Sequence, residues 1–136
     1  MINFNYETAF SLNNEEQLSE WILGVISEEK YQLEEVNYIF CDDAYLHKLN
    51  VEFLNHDTLT DIISFDYSVG KRIQGDIFIS IERVADNAKD FNVTLQDELQ
   101  RVMVHGVLHY CGYKDKTDKD AKLMREKENH YLSQLA

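Results

Sequence analysis

The chain has 136 residues, 44% hydrophobic and 12% aromatic, a composition that excludes a disordered polymer and suits a folded core. Twenty-five acidic residues against 13 lysines and arginines leave a net charge of −12, which excludes broad attraction to a phosphate backbone and confines any nucleic-acid contact to a local patch. The N-terminus has no basic segment followed by an apolar run, and no stretch of about 18 apolar residues occurs. A cytoplasmic address and a single domain over residues 1–136 are therefore expected.

The pattern alternates strand and helix. Residues 2–7 read as a short strand, and Asn13 or Asn14 caps an amphipathic helix carrying Leu18, Trp21, Ile22, Val25 and Ile26. "VNYIFC", residues 36–41, is β-branched and aromatic and predicts a second strand; Asp42 or Asp43 then caps a helix with Tyr45, Leu46, Leu49 and Phe53. "DIISFDY" (61–67) and "GDIFIS" (75–80) read as two further strands of undecided relative direction, joined by a loop suited to an open hairpin or the start of a crossover.

Ser80 can cap a helix bearing Ile81, Val84, Ala85, Ala88 and Phe91. Thr94 with Asp97, and Thr117 with Asp120, repeat a capping-box spacing before two more helices, the last carrying Met124, Tyr131 and Leu135. The sum is an α+β chain with a small sheet of about four strands and about five helices. Cys41 and Cys111 sit in apolar contexts expected of buried free thiols, so no disulfide is needed.

"HGVLHYCGYKD", residues 105–115, carries the chemistry. Successive helical residues turn about 100°, so His105 and His109 lie about 40° apart on one face and their imidazoles can share an ion. Gly112 suits the left-handed conformation that ends a helix and reverses the chain, which points Asp115 back at the pair as a third ligand. The pattern H-x-x-x-H-x-x-G-x-x-D leaves a coordination position open, as catalytic zinc sites do. Cys111, about 200° around the helix from His109, points into the core and is excluded as a fourth ligand. Paired histidines also occur as satisfied polar residues, but helix, break and third ligand in register favour the metal. His47, His56 and His130 each stand alone and are expected in surface or capping roles.

Metzincin peptidases place their general base, a glutamate, directly after the first histidine. Here that position is Gly106, so peptide hydrolysis is disfavoured and stays a lesser alternative.

"VHGVLHYCGYKD", with "LNVEFLNHDTLTDIISFD" upstream and "GDIFIS" between them, resembles the YbeY family of metal-dependent endoribonucleases that act in ribosomal RNA maturation. The similarity runs from about residue 36 to the end. It implies a mixed sheet with surrounding helices and one zinc ion per chain, held by the residues at positions 105, 109 and 115. It also implies hydrolysis of single-stranded RNA in small-subunit rRNA processing and quality control, with ribosomal proteins and an Era-like GTPase as partners. This chain departs from the pattern twice: the usual third histidine is Asp115, preceded by Lys114, and the usual arginine before "TD" falls on Leu54.

Both departures lower local positive charge. A carboxylate in place of an imidazole leaves zinc at about +1, making it a weaker anion trap, although aspartate remains a competent ligand. Arg101, one turn before His105, together with Lys114, Lys116 and Arg72 from the 68–75 loop, is the expected phosphate-contacting set; alternatively Arg101 pairs with Asp97 or Glu98. Thr60, Asp61 and Ser64 start a strand; Thr60 and Asp61 either orient the loop or, as the functional alternative, bond a ligand histidine from behind. No side chain in the motif is an evident general base, and an activated water, a substrate phosphate oxygen or Asp61 could fill that role. The expectation is a cytoplasmic zinc hydrolase of RNA, with a ribosome-biogenesis binding protein holding a structural metal as the alternative.

Overall fold

A computed structural model describes residues 1–54 and 60–135, with the side chain of Leu54 outside the description. Four strands, β1 (Ile2–Tyr6), β2 (Gln32–Cys41), β3 (Ile62–Asp66) and β4 (Arg72–Ser80), form one sheet in the order β1-β2-β4-β3. β1, β2 and β4 run parallel, while β3 runs antiparallel to β4, so the 61–80 region is a hairpin and the sheet is mixed. Among the described residues five helices surround it: α1 (Glu15–Glu28), α2 (Asp43–Leu54), α3 (Ile81–Asp90), α4 (Leu95–Tyr110) and α5 (Asp118–Ser133). No helix among the described residues is long and apolar enough to cross a membrane.

The helix starts follow the capping chemistry. The hydroxyls of Ser80, Thr94 and Thr117 accept from the backbone N–H groups of Arg83, Asp97 and Asp120, each cap being worth about 1 kcal/mol. Asp42 accepts from the N–H of Tyr45 at the start of α2, whereas Asn14 flanks α1 without a side-chain cap bond. β2 begins four residues earlier than its β-branched core, because Gln32 and Leu33 pair with Arg72 and Ile73. Likewise β4 begins at Arg72, which therefore belongs to a strand and not to the connecting loop.

The main core lies between α1, α4, α5 and one face of the sheet, where Val36, Tyr38, Phe40, Ile77 and Ile79 are fully buried. A smaller cluster of Cys41, Leu46 and Ile63 sits under α2 on the other face. Tyr45, Phe53 and Phe91, named among the apolar residues of their helices, are exposed, and Leu135 falls beyond the end of α5. His56 lies outside the described residues.

α4 is the central helix, and it sits close to the sheet because two glycines remove side chains from the contact. A Cβ on Gly106 would stand 3.0 Å from Ile77 and 3.1 Å from Ile62. Opposite, Gly75 leaves the notch occupied by Tyr110, whose hydroxyl donates to the carbonyls of Phe65 and Asp76, 3.1 Å from each. A Cβ on Gly75 would meet that hydroxyl at 2.5 Å and the Phe65 carbonyl at 2.6 Å, and the latter is backbone that cannot swing aside. Tyr38 ties the same helix from below by donating to the Met103 carbonyl at 2.9 Å.

These contacts set a contrast between two glycines. Gly75→Ala is expected to lower unfolding free energy by about 1–3 kcal/mol through overpacking. Gly24→Ala, in the exposed middle of α1 with nothing within 4 Å of the added methyl, is expected to raise it by about 0.5–1 kcal/mol. Urea midpoints of the two variants, measured side by side, check both signs.

Candidate metal centre

α4 presents His105 and His109 one turn apart on its outer face, with the ring planes at 84°. After Tyr110 the helix ends in a left-handed reversal: Gly112 has φ +97°, its N–H bonds the His109 carbonyl at 3.0 Å, and the N–H of Tyr113 bonds the Leu108 carbonyl at 3.1 Å. That Schellman pairing turns the chain back along the helix. Asp115 Oδ2 then lies 3.2 Å from His105 Nε2 and 3.4 Å from His109 Nε2, and the two Nε2 atoms are 3.0 Å apart.

The rings are oriented from behind. His109 Nδ1 lies 2.9 Å from the Tyr113 carbonyl, which can only accept, so Nδ1 carries the hydrogen and the Nε2 lone pair faces Asp115. His105 Nδ1 donates to Glu128 Oε2 at 2.7 Å, which frees its Nε2 in the same way. Two imidazole nitrogens and a carboxylate oxygen, all within 4.8 Å of one another, thus converge on one point with both Nδ1 atoms hydrogen-bonded from behind, and this donor set suits zinc. All three side chains are partly open to solvent.

Glu128 is the residue that sequence reasoning missed. It lies 23 positions from His105, on α5, and is 4% exposed. Its signal was local: it interrupts the buried stripe Met124, Glu128, Tyr131 of that helix with a carboxylate. Burial works against its charge, but the hydrogen bonds from His105 and Arg101 hold its carboxyl below the usual range. Burial likewise disfavours a charged His105, and the Glu128 bond, with the negative charge of Glu128, Asp115 and Asp61, outweighs it to raise the imidazole above its ordinary value.

The remaining candidates divide. Arg101 pairs with neither Asp97 nor Glu98; its guanidinium donates to Glu128 at 2.8 Å and to Asn129 at 2.9 Å. Asp61 lines the same cleft of about 300 Å³ as His105, Asp115 and Arg101, but the carboxylate that accepts from the histidine is Glu128 instead. Asp61 accepts from Asn87 at 3.4 Å, and burial pushes its carboxyl above the usual range. Thr60 donates to the Ile62 carbonyl. Arg72 is ion-paired with Glu34 and does not line the cleft, while Lys114 and Lys116 are exposed on the loop that carries Asp115. His130 meets Glu28 at 2.6 Å, and His47 lies on α2. Cys111 is buried, and burial raises its thiol to about 12, which fits its exclusion as a ligand.

The Endoribonuclease YbeY family model matches residues 2–136. The chain is 66% identical over 133 residues to an endoribonuclease YbeY of Flavobacterium johnsoniae, covering 98% of this chain and 96% of the relative. It is 43% identical over 117 residues to an endoribonuclease YbeY of Bacteroides thetaiotaomicron, covering 86% and 85%. Its fold is similar to the solution structure of TM1509 from Thermotoga maritima, with a TM-score of 0.72, 29% identity, and coverage of 99% of this chain and 89% of the other.

The Glu128–His105 pair makes two predictions. Glu128→Gln keeps an acceptor but removes the charge, and should weaken zinc affinity by about 10- to 100-fold in a chelator competition. The pH dependence runs in opposite directions with and without metal. In metal-free protein the raised His105 contributes stability fully present below pH 6.5, its ordinary value, and lost as pH rises through the folded value. Zinc needs the neutral ring, so its affinity should fall as pH is lowered through that same raised value, with proton release on binding measurable by calorimetry in buffers of different ionisation enthalpy.

Proposed function

This chain belongs to the Endoribonuclease YbeY family, and on that premise we propose that it is a zinc-dependent endoribonuclease. Its substrate on this reading is single-stranded RNA, in cytoplasmic small-subunit rRNA maturation and ribosome quality control, alongside ribosomal proteins and an Era-like GTPase. The observation that carries the metal-dependent part is the convergence of His105 Nε2, His109 Nε2 and the Asp115 carboxylate at the edge of an open cleft. Zinc bound there supplies Lewis-acid polarisation of a phosphate oxygen or a water.

The protein's own groups do the rest. Glu128 and the Tyr113 carbonyl hold both imidazoles in the tautomer that turns Nε2 toward Asp115. Arg101, anchored by Glu128 and Asn129, faces the cleft as a preformed phosphate contact, and Lys114 and Lys116 flank Asp115 for the same purpose. Asp61, whose buried carboxyl is a stronger base than an ordinary aspartate, suits the acceptance of a proton from the attacking water. A peptidase reading is further disfavoured because residue 106 faces the sheet: a glutamate there would be driven into Ile77 and Ile62.

One observation favours the binding-protein alternative. Asp61, Glu98, Asp115 and Glu128 all line the cleft against two arginines, so its field is poorly suited to holding a polyanion without metal. The deciding experiment pairs elemental mass spectrometry of untagged protein with cleavage of single-stranded RNA. The expected result is about one zinc per chain, with zinc and cleavage both lost in His109→Ala and in Asp115→Ala and cleavage abolished by chelator. Zinc retained with no cleavage in the wild type would favour the binding protein; no zinc after loading would overturn the hydrolase mechanism.

A further inference from the structure

Phe91 is an aromatic ring left 60% exposed at the end of α3, on a turn whose backbone is closed by hydrogen bonds on both sides. Its N–H bonds the Asn87 carbonyl at 2.9 Å, Asn92 adopts the left-handed φ of 58°, and the Val93 N–H returns to the Ala88 carbonyl at 2.9 Å. Asn87 also donates its amide to Asp61, so the turn bearing the ring is tied to the wall of the metal cleft.

Phe91 lines two hollows at once. One is the cleft with His105 and Asp115; the other is a groove of about 740 Å³ that continues toward Gln17, Val93, Gln100 and Leu135. Phe91, Glu98, Arg101 and Arg125 line both, so they form the passage between them. Arg101 and His105 are one turn apart on α4, about 6 Å along its axis, which keeps the passage within a nucleotide or two of the metal centre.

The lining chemistry selects the occupant. Arg101 and Arg125 are the lysines or arginines among the described lining residues of either hollow, whereas Asp61, Asp97, Glu98, Asp115 and Glu128 are carboxylates. Phosphate attraction alone is therefore weak, and affinity for a nucleic acid has to come from uncharged contacts. An exposed ring stacks any base independently of charge, and the neutral amides of Asn14, Gln17, Gln96 and Gln100 along the groove offer donors and acceptors to base edges. Arg101 is anchored at the cleft by Glu128 and Asn129, and Arg125, more than half exposed and meeting Glu128 only at 3.8 Å, adds a second guanidinium free to reach a phosphate further along the groove.

We infer that Phe91 is a stacking platform for a base of the RNA strand beside the cleavage point, with Arg125 contacting a neighbouring phosphate, so that the strand leaves the metal cleft along the groove between the α3–α4 turn and α5. This rests on the RNA-cleaving function proposed above.

The test uses zinc-loaded protein and anisotropy of a fluorescent single-stranded 2′-O-methyl oligonucleotide, with an abasic site walked through its sequence, beside cleavage of the matching RNA. Phe91→Ala should weaken binding by about 5- to 150-fold, Phe91→Trp should restore it, and one abasic position should weaken the wild type while adding nothing to Phe91→Ala. Arg125→Gln should reduce the slope of log affinity against log salt by about 0.7, the value for one phosphate contact on a single strand, and Phe91→Ala should leave that slope unchanged. Wild-type protein that cuts RNA while Phe91→Ala binds every oligonucleotide equally well would overturn this inference alone. Wild-type protein that neither binds nor cuts RNA would overturn the proposed function and this inference with it. Because the ring is exposed, its removal should leave the melting temperature near that of the wild type, so lost binding would not reflect lost folding.

Discussion

The close seating of α4 on the sheet is the contact on which the rest of the structure depends. It requires a missing side chain on each partner: Gly106 lets the helix approach Ile77 and Ile62, and Gly75 opens the notch that receives the Tyr110 hydroxyl. Because one face of α4 is committed to this contact, His105 and His109, about 100° and 60° around the helix from Gly106, are turned away from the sheet. The helix then ends in its own reversal at Gly112, closed by bonds to the His109 and Leu108 carbonyls, which returns the chain with Asp115 to the same outward face.

Charge is handled locally in a chain that is strongly acidic overall. Glu128 is almost wholly enclosed, and such a carboxylate is tolerated only with partners. It has them in the His105 ring, the Arg101 guanidinium and, more distantly, Arg125. One buried group thus aims a candidate ligand, raises its basicity and anchors an arginine at the cleft. Its neighbours Asp61 and Glu98 are less fully compensated, and burial raises both carboxyls above their usual range. The cleft therefore combines a donor set suited to a divalent cation with walls that repel a polyanion unless that cation is present. The carboxylate of Asp115, itself one of the candidate donors, sharpens this dependence.

The buried helix stripes and their caps were legible in the chain because they rest on interactions within a few residues. Leu18, Trp21, Ile22, Val25 and Ile26 are all buried as their spacing required, and Ser80, Thr94 and Thr117 cap the helices that follow them. The convergence of His105, His109 and Asp115 was legible for the same reason: two histidines a turn apart and a helix-ending glycine are statements about one helix and its termination. Tyr45, Phe53 and Phe91 lie on or at the end of helices as their spacing required but are exposed, since periodicity reports which residues share a face and not whether anything covers it.

What the sequence by itself determined is therefore the local geometry: alternation of strands and helices, where the helices start, and the convergence of His105, His109 and Asp115. The tertiary structure alone decided the antiparallel placement of β3, the strand extensions at Gln32 and Arg72, and the partners of the site. Glu128 reaches His105 across 23 residues, and Asn87 reaches Asp61 across 26, through the packing of α5 and α3 around α4. The physical reason is range. Backbone dihedral preference, side-chain period and capping act within about a turn of their own residue. Which helix face meets which, and hence which carboxylate stands behind a histidine, depends on burying apolar area between elements, a non-directional force that single-chain patterns do not encode.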